Sequence, residues 1–206
     1  MKMFRGTRDG GVSVWMPPGE ATLLRTLVIA VMELLDETRA PGETDGTGDV
    51  GQPADVLEDL DRLLAEAEAQ TAAEADAGPA ATPRLPEDPV LARLLPDAYA
   101  DDPRAAAEFR KYTESSLREA KKYFGQTLLD TLPPRGGRVR LTGDQARDWL
   151  RTLNDVRLMF GVRLEVTEDF EEQLASLAPG DPKIAAFEVY GWLGAVQESL
   201  VRALDR

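Results

Sequence analysis

Residues Trp149 to Leu164 constrain the fold of this chain more than any other stretch. On a helix of about 3.6 residues per turn, Ala146, Trp149, Leu150, Leu153 and Phe160 share one face, and Arg157 falls on it too. A guanidinium set in an apolar stripe needs an acceptor inside the fold, because a buried charge without a partner is strongly destabilising. Glu20 is the expected partner. It is the other charge misplaced on an apolar stripe, near the centre of a face made by Leu23, Leu24, Leu27, Val28, Val31, Leu34 and Leu35. Asn154 is expected at the edge of the Arg157 stripe and Asp155 roughly opposite it. The simplest reading of Asn154, Asp155 and Arg157 is an architectural hydrogen-bond network. The functional alternative is an anion pocket built around Arg157, for a carboxylate or a phosphate.

Composition removes much chemistry. The 206 residues contain no cysteine and no histidine. A disulfide framework, a thiol nucleophile, a Ser-His triad and the usual zinc sites are therefore excluded for this stretch of chain. No Walker motif, GxGxxG run or Gly-x-Ser-x-Gly elbow is present, and Gly10-Gly11 and Gly136-Gly137 read as turns. Asp101-Asp102, and Glu168-Asp169 with Glu171-Glu172, lack the spacing of a calcium loop or a di-iron site, so no metal and no cofactor is expected. The longest apolar run, Leu23 to Leu35, is broken by Arg25 and Glu33 and is too short to span a bilayer. With no hydrophobic run behind the first charges, a cytoplasmic protein without membrane contact is expected.

The net charge of −13 is localised. Residues 36–88 hold 15 Asp and Glu against Arg39, Arg62 and Arg84, and the rest of the chain is close to neutral. Within residues 40–86, an acidic and partly disordered insertion is expected, containing one amphipathic helix from Asp55 to Ala75. The opposite sign gathers later: nine Lys and Arg stand against four acids from Arg104 to Arg140. Arg110, Lys111, Arg118, Lys121 and Lys122 share one helix face, followed by Arg135, Arg138 and Arg140. Such a face suits nucleic acid, but an ordinary solvated face is the favoured reading, since the whole-chain charge repels phosphate backbones.

Along the chain, Phe4 to Arg8 and Val12 to Trp15 flank Asp9-Gly10-Gly11, a hairpin signal. Helices are expected from about Gly19 to Thr38, Pro89 to Leu95, Asp102-Pro103 to Thr131, Thr142 to Gly161, Glu168 to Leu177 and Asp181-Pro182 to Leu204. Thr142 with Gln145 forms a capping box, and Gly161 is the expected stop. The last helix is apolar almost all round and is expected to be central, with Gly191 and Gly194 letting a neighbour come close. Val139-Arg140-Leu141 is extended and could pair with the hairpin. The sum is a single mainly α domain over residues 1–206, a bundle of about five to seven helices with a small N-terminal β-hairpin that a short third strand could join.

The Phe4-Arg5 hairpin and the block Trp149-Leu150-Arg151-Thr152-Leu153-Asn154-Asp155-Val156-Arg157-Leu158 resemble an actinobacterial family of uncharacterised proteins. The resemblance covers the two ends and residues 142–170. Members of that family are often encoded near the adaptor of the Clp protease, which implies a link to protein turnover. It supplies no catalytic residues to carry over.

Three function classes follow. A non-enzymatic, adaptor-like or regulatory protein with a protein partner ranks first, a small-anion binder using Arg157 second, and a nucleic-acid-binding protein third. A homodimer is compatible with the sequence. If Arg157 is held in a buried ion pair, Arg157→Met should lower stability by about 3 kcal/mol or more in a denaturant titration.

Overall fold

Buried and exposed residues alternate along β2 (Val12–Met16), as a strand covered on one face requires. In the computed structural model, which describes residues 3–36, 88–96 and 102–205, β2 is the middle strand of three. Side chains of residues 103, 105–108 and 110–112 fall outside that description, as does the acidic segment with its expected helix from Asp55 to Ala75. β1 (Arg5–Gly6) and β3 (Gly137–Leu141) flank β2, both antiparallel. Val139 and Leu141 point inward with Val12, Val14 and Met16, while Trp15 and Arg138 stand opposite each other on the outer face. The expected third strand is present. Gly136 sets its entry: its φ of +67° is left-handed, and a Cβ there would lie 2.7 Å from the Met16 carbonyl oxygen.

Six helices accompany this sheet among the described residues: α1 (Pro18–Asp36), α2 (Pro89–Leu94), α3 (Pro103–Thr131), α4 (Gly143–Arg163), α5 (Phe170–Ser176) and α6 (Lys183–Leu204). Their starts follow local chemistry. Thr142 and Gln145 make both bonds of the capping box that opens α4. Asp88 accepts from the Val90 and Leu91 amides to open α2, and Asp102 accepts from the Arg104 amide at the start of α3.

The end of α4 differs from expectation. Gly161 lies inside the helix, which continues to Arg163. The Glu165 amide donates to the Val162 carbonyl and the Val166 amide to that of Gly161, closing the helix in a Schellman pattern. Glu165, at φ 51°, takes the left-handed position that glycine usually fills.

The centre also differs. α4, not the last helix, is the element enclosed by the others, packing on α1, α2, α3 and α6. Ala146, Trp149, Leu153 and Val156 on it are fully buried, and Thr152, Asp155 and Met159, which lie away from the main stripe, are buried too. The last helix, α6, packs chiefly on α4 and the sheet and leaves Glu188, Gly191, Glu198, Val201 and Arg202 exposed. A mean apolar character spread round a helix thus marked a wide buried face, not full enclosure.

Trp149 ties α4 to two neighbours. Its indole Nε1 donates to Thr131 Oγ1 at 2.8 Å, and its ring meets Phe4 edge-on with centroids 6.0 Å apart. Long cations fix α1 against α3. Arg25, in the first half of α1, donates from Nη2 to the Leu132 carbonyl at 2.6 Å and reaches that of Leu129. Arg118 of α3 donates from Nη1 to the Leu35 carbonyl at 2.8 Å near the end of α1. Each arginine closes the other helix's C-terminal turn, where carbonyls lack intrahelical partners and the dipole favours a cation. The two contacts fix the pair as antiparallel. Arg25→Met should cost about 1.5–3 kcal/mol by urea denaturation, the range for a partly buried bond to a charged donor. Wild-type stability in that variant would show that Arg25 does not cap α3.

Candidate functional site

Arg157 lies in the second half of α4 and turns toward α6. Its Nη1 donates to Gln197 Oε1 at 2.8 Å and its Nη2 to the Tyr190 hydroxyl at 3.3 Å. The guanidinium carbon stands 5.1 Å from the centroid of the Tyr190 ring, a cation–π distance. Gly194 faces the same group. The guanidinium therefore finds acceptors inside the fold, as its place in an apolar stripe requires, but both are neutral.

Glu20 is not the partner. It is half-buried in the first turn of α1, at the end of the bundle where Gly136 packs on the Met16–Pro18 backbone. Arg25 of α1 and Trp149 of α4 both reach the last residues of α3; Glu20 lies beyond that level on one side, while Arg157 lies eight residues, about 12 Å at ~1.5 Å per residue, to the other. Two residues can both interrupt apolar stripes and still be separated by the length of a helix.

Asp155 lies on the side of α4 opposite the main stripe, and that side is buried as well. It faces α3 and is buried, and Lys121 Nζ meets its Oδ1 at 2.6 Å. The reason is the enclosure of α4, which buries the side opposite the main stripe as well. Burial pushes the Asp155 carboxyl above its ordinary value near 3.8, while the hydrogen bond and charge of Lys121 pull it back. Asn154 is exposed, and among the described residues it joins neither Arg157 nor Asp155. The three residues are thus not one constellation: two serve different helix interfaces and the third faces solvent.

The basic candidates divide in the same way. Arg118 pairs with Glu114 at 2.7 Å besides capping α1. Lys121 is spent on Asp155, and Lys122 pairs with Asp36 of α1. These three do share a face, but it is turned toward α1 and α4. Arg110 and Lys111 belong to α3, with side chains outside the described residues. Arg138 and Arg140 are exposed on the sheet, and Arg135 in the turn before it. The acidic Glu168, Asp169, Glu171 and Glu172 are exposed, and among the described residues no group of three or more His, Cys, Asp or Glu is placed to hold a metal.

Glycine roles were also redistributed. A Cβ at Gly191 would make ordinary contact with Phe170 at 3.7 Å, and one at Gly194 with Arg157 at 3.8 Å. Neither glycine is needed for close approach. The closer approach is at Gly125, where a Cβ would stand 2.8 Å from the Met32 sulfur of α1 and that flexible side chain would have to shift.

Fold and site define a mainly α domain with a small sheet at one end, its helices cross-braced by internal cations. Over residues 1–204 the chain matches the DUF2017 family, described as a domain of unknown function, and it belongs to that family. It is 36% identical over 213 aligned residues to the oxidative stress regulator AosR of Mycobacterium tuberculosis and to that of Mycobacterium bovis, covering 96% of this chain and 84% of theirs. A putative oxidative stress regulator AosR of Mycobacterium leprae is 34% identical, over 91% of this chain and 79% of that protein. No solved structure matches the chain. No described helix is long and apolar enough to cross a membrane.

Two outcomes follow from this geometry. Arg157→Met should now cost about 1–3 kcal/mol, the effect of leaving Gln197 and Tyr190 unpaired, and not the larger loss of a broken ion pair. Lys121→Met should cost about 3 kcal/mol or more, because Asp155 would stay buried and charged, while joint replacement of both residues by apolar ones should restore much of it. The Asp155 carboxyl, raised in the folded state, holds its proton to higher pH there than in the unfolded chain. Its contribution is present below about 3.8 and is lost as pH rises through the folded value. Wild type should therefore lose stability relative to Asp155→Asn as pH climbs through that window, and parallel denaturation profiles would contradict the assignment.

Proposed function

We propose that this protein is a non-enzymatic regulator in the oxidative-stress response, acting by binding a partner protein and controlling that partner's activity or lifetime. The observation that carries the reading is 36% identity to proteins named oxidative stress regulators, across 96% of this chain. The absence of cysteine refines it. With no thiol in these 206 residues, an oxidant signal cannot be read here as a disulfide or a sulfenic acid. A regulator of this composition takes its input through an interaction with another molecule. The use of Arg118 and Lys121 at helix interfaces, with Lys122 in an exposed pair with Asp36, supports a protein partner over nucleic acid, since these cations that suited a phosphate backbone already have partners. A partner's lifetime is included because the resemblance noted from sequence points toward protein turnover.

The reading is tested by deleting the gene in its host and measuring survival and transcript levels under hydrogen peroxide. Loss of the normal response, restored by the full chain, is the expected result. An unaltered response in the deleted strain would sink the reading.

A further inference from the structure

Arg157 is held differently from the other cations at the helix interfaces. Lys121 meets Asp155, Arg118 meets Glu114 and Arg163 meets Asp88, each a carboxylate. Arg25 meets the Leu129 and Leu132 carbonyls, where the end of a helix supplies negative potential. Arg157 meets an amide oxygen on Gln197 and the hydroxyl of Tyr190, and neither carries a charge. The acids closest along the chain to Arg157 and Gln197 are engaged elsewhere, Asp155 by Lys121 and Glu198 by Arg202. Its hydrogen bonding is incomplete as well. A guanidinium has five N–H donors. Here one bond leaves each Nη, while the Nε is buried and meets no acceptor among the described residues. Arg25 also leaves its Nε unmatched, but its charge is answered by carbonyls at a helix end. For Arg157, half-buried in the same fold, both lacks coincide.

A buried donor without an acceptor is costly. Helix packing alone does not account for it, because an apolar side chain on this stripe would fill the seam with no charge to satisfy. The two neighbours are also of a particular kind. A phenol and a primary amide can each donate as well as accept. Both accept from Arg157 in this arrangement. When an anion takes over the Nη–H bonds, the Tyr190 O–H and the Gln197 amide N–H are free to turn and donate to the same anion. Tyr190 is held in place for that role. Its ring lies against the Arg157 guanidinium, at 5.1 Å from the carbon, and against the Phe170 ring, with centroids 5.3 Å apart. Gly194 faces the guanidinium too, and it presents no side chain where a Cβ would stand 3.8 Å from the central carbon.

From this arrangement we infer that Arg157, Tyr190 and Gln197 form a binding site for a small oxyanion, a carboxylate or a phosphate, in the seam between α4 and α6. The inference goes beyond the regulatory reading and does not depend on it. The planar fork of a guanidinium matches either anion with two parallel hydrogen bonds. Half-burial between two packed helices restricts the ligand to a small ion and leaves no course for a chain segment. Binding neutralises the unanswered charge, and Tyr190 and Gln197 exchange an accepting role for a donating one. No covalent bond is made or broken.

The test titrates the full chain with inorganic phosphate and, separately, with sodium acetate, at an ionic strength held constant with sodium chloride. Heteronuclear NMR spectra follow the Arg157 Nε–H, assigned by its loss in Arg157→Lys. At least one anion should shift that resonance saturably and raise the melting temperature, as a ligand of the folded state does. Which anion does so tells a phosphate site from a carboxylate site. Tyr190→Phe keeps the ring and removes only the hydroxyl, and Gln197→Leu keeps most of the volume. Each should weaken binding at least about tenfold, the factor that ~1.4 kcal/mol represents. Arg157→Lys retains the charge but loses the fork, and should fall by as much. Thermal melting of each variant without added anion shows that it is folded before its affinity is compared. Failure of both anions to move the Nε–H, or unchanged affinity in Tyr190→Phe, Gln197→Leu and Arg157→Lys, would overturn the proposal.

Discussion

Lys121 meeting Asp155 is the contact on which the arrangement of the other helices depends. α4 is enclosed by four neighbouring helices, and an enclosed helix cannot keep a carboxylate unless another element brings a cation to it. The partner comes from α3 at a fixed height, which sets the stagger of those two helices. Trp149 reaching Thr131 and Arg151 lying 4.7 Å from the Phe124 ring centroid agree with the same antiparallel stagger. A purely apolar interface would have allowed small slips between α3 and α4 at little cost, since dispersion contacts are interchangeable. A charge pair and an indole hydrogen bond do not slip.

Arginine does comparable work at the helix ends. Arg25 and Arg118 bridge α1 and α3 in opposite directions, each closing the final turn of the other helix. Arg163 reaches Asp88, the residue that opens α2, at 3.3 Å. Guanidinium suits these places because its long stem packs along apolar surface while the planar fork reaches carbonyls and carboxylates. Arginine, 19 residues against 5 lysines in the sequence, serves at several of these interfaces as structural bracing.

Much of the fold was legible in the sequence because its signals are local. The hairpin turn at Asp9-Gly10-Gly11, the capping box at Thr142 and Gln145, and the proline-marked start of α3 each depend on a few neighbouring residues. Pairing over distance was not legible. Periodicity found Arg157 and correctly required an acceptor, yet nothing in a linear pattern separates Glu20 from Gln197 and Tyr190. The same reasoning, applied to Arg25 inside the run from Leu23 to Leu35, would have flagged the cap on α3. Asp155 was placed opposite the apolar stripe, but a single stripe does not say that a second side of the helix is buried too, and α4 is buried on more than one. Gly125 escaped notice for a similar reason: how closely a glycine is approached depends on what the partner helix presents, here the Met32 side chain, and that partner is remote in sequence.

These internal pairings change what the surface can say. A count of charges along residues 104–140 suggests a broad basic face, but Arg118, Lys121 and Lys122 have their positive ends turned to α1 and α4. Outward cations with fixed geometry lie on the sheet, where the register holds Arg5 and Arg140 across from Ser13 and Arg138 across from Trp15, and on helices, as Arg93 and Arg202 do. Recognition by a rigid element loses less conformational entropy on binding than recognition by a loop. In a chain without thiols, where Arg25, Arg118, Lys121 and Arg157 turn to helix interfaces, the charge that another molecule meets is set by the fold and not by the count of charged residues.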